Sequence, residues 1–293
     1  MSSLTGKVVF ITGGARGVGA EVARRLRAKG ARLVLTDLDQ APLAELSAEL
    51  GGDAHVLTAL ADVRDLPAMQ RAADAAVQRF GGIDIVLANA GIASFGSVLQ
   101  VDPEAFQRVV EVNVVGVFNT VRATLPAVID RRGYVLVVSS LAAFTSSPGL
   151  SAYHASKAGA EYFANTLRLE VAHLGVDVGS AHMSWIDTPL VQEAKADLST
   201  FRVMLSKLPT PLNRTTTVEA CGDAFVKGIE GRRTRIYCPG WVGAFRWIRP
   251  FVTTRVVEQR ISALTPELLP KLDAEVAALG RSLSARTEAL EKP

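Results

Sequence analysis

Short apolar runs alternate with longer helical patterns from the start of the chain to about residue 240. The predicted strands lie at 7–12, 32–36, 54–60, 84–88, 134–139, 176–182 and 235–238. The predicted helices lie at 18–29, 41–50, 66–80, 103–128, 152–173 and 218–230. Strictly alternating strands and helices need right-handed crossovers, which produce a parallel sheet with helices on both faces. The sequence therefore predicts a doubly wound α/β fold of about seven strands, with residues 1–240 forming one domain.

Two stretches break this alternation. Residues 183–216, rich in Leu, Thr and Pro, are predicted as a long loop, and a loop of this length in a compact domain usually covers a site. Residues 241–293 are predicted as a C-terminal extension, in which aromatic and basic residues at 241–251 precede a polar helical stretch at 266–290. The aromatic segment can close over a pocket, cover a subunit surface or lie on a membrane surface. We favour a lid or a subunit interface over membrane contact, because only a short segment shows the pattern.

The composition is that of an ordinary globular protein, with 48% hydrophobic and 21% charged residues, which excludes general disorder. The net charge of +3 and the absence of a concentrated basic stripe in the first 230 residues give no reason to expect a nucleic-acid partner. Two cysteines alone form neither a disulfide framework nor a metal cluster, so no metal is expected. The first residues lack a signal-peptide pattern and no run reaches the ~18 apolar residues of a membrane span. We therefore expect a cytoplasmic protein.

A glycine-rich run, TGGARGVG at 12–19, lies between the first predicted strand and the first helix. Glycines at this point permit a tight turn and let the backbone approach a pyrophosphate held over the helix N-terminus. The context makes an ordinary glycine-rich turn the weaker interpretation. The candidate cofactor-binding residues here are Gly13, Ala15, Arg16, Gly17, Val18 and Gly19.

Asp37, eighteen residues past Gly19, ends the second predicted strand. A carboxylate there accepts hydrogen bonds from the adenosine ribose and repels a 2′-phosphate, which favours NAD over NADP. Arg16 argues for NADP, since a guanidinium in the glycine loop can pair with that phosphate. We give Asp37 more weight because it occupies the position that meets the ribose. Leu38, Asp62 and Val63 are further candidates at the adenine end.

Tyr153 and Lys157 are four residues apart, so on a helix their side chains project from one face. A neighbouring cation stabilises a phenolate and draws the phenol pKa down from ~10, which suits proton transfer in alcohol–ketone chemistry. A solvated helix face is the alternative for the pair taken alone. His154 lies about 100° away around the helix, so we expect it to face away from the substrate.

With these motifs in view, residues 5–240 resemble the short-chain dehydrogenase/reductase family, whose fold is a Rossmann-type sheet. The resemblance is also carried by Asn89-Ala90-Gly91, Asn113 and Ser140, the last thirteen residues before Tyr153. It implies that Tyr153 is the general acid/base and that Lys157 lowers its pKa and binds the nicotinamide ribose. It further implies that Ser140 polarises the substrate oxygen and that Asn113 holds a water linking Lys157 to solvent. Asn89, Ala90 and Gly91 support the cofactor side.

One segment departs from the family pattern. After the sixth strand the family has Pro-Gly and then Thr, whereas this chain has Met183-Ser184 and then Thr188. Ile186 and Thr188 still match positions that hold the nicotinamide carboxamide and the pyrophosphate. The family's proline has a fixed φ and its glycine permits a tight turn, and this chain has neither. The family pattern therefore does not predict the path of this loop.

The predicted substrate pocket is mostly apolar, which suits a hydrophobic alcohol or ketone. Its predicted walls are Phe95, Leu141, Phe144, Leu150, Trp185, Leu190 and Met204. The sequence thus predicts an NAD-dependent oxidoreductase that interconverts an apolar secondary alcohol and its ketone. An NADP-dependent carbonyl reductase and a non-catalytic dinucleotide-sensing protein are the alternatives. The family resemblance implies a homo-oligomer, a dimer or tetramer, built through the helices that carry Asn113 and Tyr153.

Overall fold

Seven apolar segments form the strands of one sheet in the computed structural model, which describes residues 4–252 and 254–290. They are β1 (Val8–Thr12), β2 (Arg32–Asp37), β3 (Val56–Leu60), β4 (Ile85–Ala88), β5 (Tyr134–Val138), β6 (Asp177–Met183) and β7 (Arg235–Cys238). All neighbours pair in parallel, in the order β3-β2-β1-β4-β5-β6-β7. The predicted doubly wound sheet is confirmed, and each strand bound lies within two residues of its predicted place.

Helices cover both faces of the sheet. They are α1 (Gly17–Ala28), α2 (Gln40–Glu49), α3 (Leu66–Phe80), α4 (Pro103–Val110), α5 (Gly116–Asp130), α6 (Ser151–Val171), α7 (Pro189–Asp197), α8 (Ser199–Lys207), α9 (Val218–Glu230), α10 (Val242–Val252), α11 (Arg255–Ser262), α12 (Thr265–Leu279) and α13 (Ala285–Ala289). Alternate residues of β1 enter the two cores: Val9 and Ile11 pack with α1 and α9, whereas Val8 and Phe10 pack with α3, α5 and α6. Burial on both sides explains why the strands are apolar without alternation.

The strand order reverses between β1 and β4, the point of a doubly wound sheet at which ligands bind beyond the carboxyl ends of the strands. β1 ends at Thr12 and β4 at Ala88, immediately before the glycine-rich run and before Asn89. The fold therefore brings both motifs to the same edge.

Two predicted elements were wrong. The loop predicted over 183–216 contains α7 and α8, which begin after Thr188 and are separated by the extended residue Leu198. Pro189 at the first position of α7 is a helix-start signal that the short, weakly periodic pattern hid. The single helix predicted over 103–128 is α4 and α5 joined by one π-helical turn, Glu111–Val115.

The C-terminal extension packs against the sheet domain. Leu272 and Val276 of α12 are buried with Phe95 and Phe201, so the extension shares a core with the residues above the sheet edge. Among the described residues one stretch, Pro103–Asp130, is long and apolar enough for a membrane span. Half of its apolar window is buried in the protein, as in a core helix, so it is weak evidence for a membrane.

Candidate active site

A cavity of about 520 Å³ opens beyond the carboxyl ends of the strands. Sixteen of the predicted cofactor-binding and catalytic residues line it: Gly13, Arg16, Gly17, Val18, Asp37, Leu38, Asp62, Val63, Asn89, Ala90, Gly91, Ser140, Tyr153, Lys157, Ile186 and Thr188. The structure thus brings most of the predicted cofactor residues and three of the four predicted catalytic residues into one cleft.

The glycine-rich loop is built by close backbone packing. Gly13 and Gly17 adopt φ of 62° and 54°, in the left-handed region that favours glycine. Asn89 donates from its amide to the carbonyl oxygens of Thr12 and Gly13, 3.0 Å in each case, and so ties the loop to the end of β4. Gly19 does not line the cleft. It packs against the turn instead, so closely that a Cβ there would lie 2.2 Å from the carbonyl oxygen of Gly13. Its role is to let α1 pack against the turn.

Asp37 lines the cleft at the end of β2 with its carboxylate held by backbone donors. One oxygen accepts from the Ala15 N–H at 3.0 Å, and the other from Leu38 at 2.8 Å and Asp39 at 3.2 Å. Ala15 does not line the cleft itself, contrary to its predicted role as a cofactor-binding residue, and instead fixes Asp37. A carboxylate has about four acceptor positions, so capacity remains for a ribose hydroxyl.

Arg16 pairs with Asp39 at 3.1 Å. Its guanidinium is therefore engaged by a carboxylate two residues past Asp37 in the structure. This weakens the expectation that Arg16 binds a 2′-phosphate.

Asp62 is held in place by Arg64, whose Nη2 lies 2.6 Å from a carboxylate oxygen. Burial alone would raise the pKa of Asp62, but the hydrogen bonds and the charge of Arg64 outweigh it and hold that pKa below its usual value. Next to it, Val63 accepts a hydrogen bond at 2.9 Å from the buried amide of Asn119 on α5. The adenine end of the cleft is thus anchored to the helix beneath it.

The first turns of α6 place Tyr153 and Lys157 on one face, with the Lys157 Nζ 5.7 Å from the centre of the Tyr153 ring. Ser140, at the end of β5, is a polar neighbour of the Tyr153 phenol, and its hydroxyl donates to the Met183 carbonyl at 3.3 Å. The Ser140 hydroxyl accepts from the Ala142 N–H at 3.1 Å, which orients it toward the cleft. The three side chains form a contiguous polar group in an otherwise apolar wall.

Burial dominates the titration of this group. Burial raises the pKa of Tyr153, and the neighbouring Ser140 side chain opposes that shift only in part. It lowers the pKa of Lys157 from 10.5 to about 8, while Nζ donates to the Val138 carbonyl at 3.1 Å. The expected lowering of the Tyr153 pKa is therefore not found in the protein alone, because desolvation is the larger effect on both groups.

Asn113 lies on the π-helical turn, fully buried behind the cleft rather than lining it. Its amide donates to the Ile92 carbonyl and the Ser156 hydroxyl, and its oxygen accepts from the Ile92 N–H, all at 2.9 Å. A Cβ on Gly91 would meet both Asn113 Oδ1 at 3.2 Å and Lys157 Nζ at 3.1 Å, so the two groups border the same glycine. The water-holding role of Asn113 remains a prediction.

His182 is a functional neighbour that the sequence did not identify. Its ring is buried on β6, where Nδ1 contacts the Ser140 carbonyl at 3.3 Å and Nε2 contacts the Ser180 hydroxyl at 2.9 Å. Burial lowers its pKa to about 3, so the ring is neutral at working pH. Phe144, predicted as a wall of the substrate pocket, stacks on this ring at 4.5 Å and does not line the cleft. His182 and Phe144 together support the backbone of Ser140 on the side away from the cleft.

His154 also behaves as a structural residue. Its ring nitrogens bond the Ser147 hydroxyl and the Ala142 carbonyl, both at 2.9 Å, and burial lowers its pKa. Although it borders the cleft, both nitrogens are used within the protein.

In the unusual Met183-Ser184 pair, Met183 is the last residue of β6 and Ser184 follows the strand in a bend. Met183 pairs with Cys238 of β7, and the Ser184 N–H donates to the Cys238 carbonyl at 2.9 Å. Neither residue has a positive φ, so the missing glycine causes no backbone strain here. Ile186 and Thr188 still reach the cleft.

The other end of the cleft is apolar. Of the predicted walls, Phe95, Leu141, Leu150, Trp185 and Leu190 line it. Met204 lies on α8, half-buried against the same apolar cluster, and does not line the cleft. Edge-to-face contacts of Phe201 with Phe95 at 5.4 Å and with Trp185 at 5.5 Å hold this wall together.

The extension supplies lining residues that sequence reasoning missed. They are Phe245 and Val252 of α10, and Ser284, Arg286, Thr287 and Leu290 near the C-terminus. The aromatic–basic pattern at 241–251 indicated a covering element, but no local motif marked 284–290.

Among the described residues, no group of three or more His, Cys, Asp and Glu side chains is placed to hold a metal. Both cysteines are buried free thiols.

Comparison with known proteins places the chain in a defined group. Residues 7–199 match the family model for short chain dehydrogenases. The chain is 37% identical over 216 residues to an uncharacterised NAD-dependent oxidoreductase of Mycobacterium tuberculosis, covering 68% of this chain and 78% of that protein. A short chain dehydrogenase of Mycobacterium paratuberculosis solved bound to NAD has a TM-score of 0.70 at 27% identity, covering 80% of this chain and 97% of that one. Levodione reductase has a TM-score of 0.74 at 27% identity, covering 82% and 98%.

Proposed function

The chain belongs to the short-chain dehydrogenase family, and we propose that it is an NAD-dependent oxidoreductase that interconverts an apolar secondary alcohol and its ketone. The observation that carries this proposal is the position of Tyr153, Ser140 and Lys157, where the glycine-loop part of the cleft meets its apolar part. A hydride and a proton must be exchanged at one carbon–oxygen bond, and this junction is where a substrate oxygen can meet both the phenol and the cofactor part of the cleft.

The residues present fit NAD. The positive-φ glycines leave the loop backbone open toward the cleft, and Asp37 lies at the ribose position with acceptor capacity free. The pairing of Arg16 with Asp39 supports NAD over NADP. The names of relatives point the same way, since one is an NAD-dependent oxidoreductase and one solved structure contains NAD. When bound, NAD supplies the hydride acceptor in oxidation and the hydride donor in reduction.

The chain's own residues handle the proton. In oxidation, the Tyr153 phenolate takes the hydroxyl proton of the alcohol as the hydride leaves the carbon, and the phenol returns a proton to the ketone oxygen in reduction. Ser140 donates a hydrogen bond to the same substrate oxygen and stabilises its developing charge. Protonated Lys157 favours the phenolate and passes the proton onward.

The substrate class follows from the lining. Beyond Lys157, the substrate part of the cleft has no lysine or arginine among its described lining residues to pair with a carboxylate or phosphate. Trp185, Phe95 and Phe201 supply an apolar wall. This favours a hydrophobic alcohol or ketone.

We also propose that the protein is a cytoplasmic homo-oligomer, a dimer or tetramer. The exposed apolar side chains Phe118 on α5 and Tyr162 and Leu169 on α6 support an interface there. For 241–251 we favour a lid over membrane contact, because Phe245 of this segment lines the cleft.

The test is side-by-side titration of NAD and NADP, followed by a panel of apolar secondary alcohols watched at the nicotinamide absorbance. We expect tighter binding of NAD and reduction of NAD by at least one alcohol. Tyr153→Phe should lose turnover and keep NAD binding, while Lys271→Ala, which removes an exposed side chain of α12, should keep both. Absence of dinucleotide binding would refute the proposal, and binding without turnover would favour a dinucleotide-sensing protein.

A further inference from the structure

The last described residues of the chain, 281–290, cross the cofactor cleft, and we call this segment the C-terminal strap. On the substrate side it is firmly attached. The Ser282 carbonyl accepts from the Phe95 N–H at 2.9 Å, and the Ser282 hydroxyl accepts from the Asp102 N–H at 3.1 Å. Leu283 is 2% exposed, packed among side chains of α4 and α6.

On the adenosine side the strap is attached by a charge pair. Arg286 Nη2 lies 3.2 Å from the Asp39 carboxylate, two residues past the ribose-binding position Asp37. Between the two attachments, Ser284, Arg286, Thr287 and Leu290 line the cleft. The strap therefore spans the cleft from the loop after β4, which contains Phe95 and Asp102, to the end of β2.

Arg286 has donors left over. Its Nε is buried without a hydrogen-bond partner, and Asp39 is shared with Arg16, which lies 3.1 Å from the same oxygen. Two guanidinium groups thus meet one carboxylate at the end of the cleft where the adenosine part of a dinucleotide would lie. The buried, unpartnered Nε of Arg286, on a guanidinium that shares the Asp39 carboxylate with Arg16, matches a ribose or pyrophosphate oxygen.

We propose that Arg286 is a cofactor-binding residue, and that the strap lies over the adenosine half of the dinucleotide with Arg286 donating to an oxygen of its ADP-ribose part. This inference rests on the proposed NAD-dependent function. It concerns residues outside the 7–199 region that matches the family model. Because the strap is attached on both sides of the cleft, the Arg286–Asp39 contact must open for the cofactor to exchange.

The test compares three ligands in wild-type protein and the Arg286→Ala and Arg286→Lys variants. Binding of NADH is followed by its fluorescence, ADP-ribose by competition, and reduced nicotinamide mononucleotide, which lacks the adenosine part, by its own fluorescence. Loss of a charge-assisted hydrogen bond should weaken NADH and ADP-ribose by about tenfold or more in Arg286→Ala and less in Arg286→Lys. The mononucleotide should bind with unchanged affinity, and stopped-flow release of NADH should be faster in Arg286→Ala.

Lys271→Ala is the matched control, since it removes an exposed basic side chain from α12 of the same extension. It should leave all three affinities unchanged. Unchanged NADH affinity in Arg286→Ala would overturn the inference, and so would an equal loss for the mononucleotide, which would mean that the whole cleft had loosened. Failure of wild-type protein to bind NADH would instead overturn the proposed function itself.

Discussion

Replacing Lys157 by Met should stabilise the protein at neutral pH while abolishing turnover. Burial lowers the Lys157 pKa from 10.5 to about 8, a shift of about 2.5 units. The unfolded chain thus binds more protons than the folded one between about pH 8 and 10.5, so stability rises with pH across that window. At pH 7 the buried charge costs about 3 kcal/mol, and at pH 10 about 1 kcal/mol. Loss of the 3.1 Å hydrogen bond from Nζ to the Val138 carbonyl costs about 1 kcal/mol, which leaves Lys157→Met about 2 kcal/mol more stable at pH 7.

The assay is urea unfolding of wild-type protein and Lys157→Met at pH 7 and pH 10. The stability of wild type should rise by about 2 kcal/mol relative to that of the variant between the two pH values. Comparing the two proteins at both pH values cancels the contribution of every group that titrates equally in both. Lys271→Met, whose side chain is 61% exposed, should show no such change. Parallel pH dependence of wild type and Lys157→Met would refute the reasoning, since it would mean that Lys157 titrates normally in the folded protein.

Three further outcomes are expected. Because burial raises the pKa of Tyr153, kcat/KM for alcohol oxidation should rise with pH above neutrality while that for ketone reduction falls; an oxidation rate that peaks in acid would contradict this. Asp37→Ala should raise the ratio of NADP to NAD efficiency by at least about tenfold, and an unchanged ratio would mean that Asp37 does not meet the ribose. Gly19→Ala places a methyl group 2.2 Å from the Gly13 carbonyl and should cost about 1–3 kcal/mol in thermal stability and weaken NADH binding, whereas Gly240→Ala, with nothing within 4 Å, should do neither.

The cofactor half of the site could be predicted because its residues follow strand ends. Once periodicity placed the strands, Asp37 and Asn89 had to lie at the carboxyl edge of a parallel sheet. The helical repeat alone was enough to predict that Tyr153 and Lys157 project from the same face of a helix. These placements depend on spacing along the chain, which the sequence contains directly.

Errors occurred where position depends on contacts between distant segments. Phe144 was predicted in the substrate wall because of its place in the chain, yet stacking on His182 turns it into the core. Met204 was predicted in a loop, but the segment is helical and Met204 packs against the wall residues without lining the cleft. The titration of Lys157 and Tyr153 was misjudged for a related reason, since spacing reveals a neighbour but not the depth of burial around both groups.

The position of the C-terminal strap depends on such distant contacts more than that of any segment discussed above. Its attachments join residues 187 positions apart at Phe95 and Ser282, and 247 apart at Asp39 and Arg286. Nothing in the local pattern of 281–290 indicates that Arg286 should reach the end of β2. The extension is nevertheless part of the site, because its backbone closes hydrogen bonds with the loop after β4 and its arginine shares a carboxylate with the glycine loop. A family motif therefore predicts the chemistry, while the position of the C-terminal strap beside it is determined by packing alone.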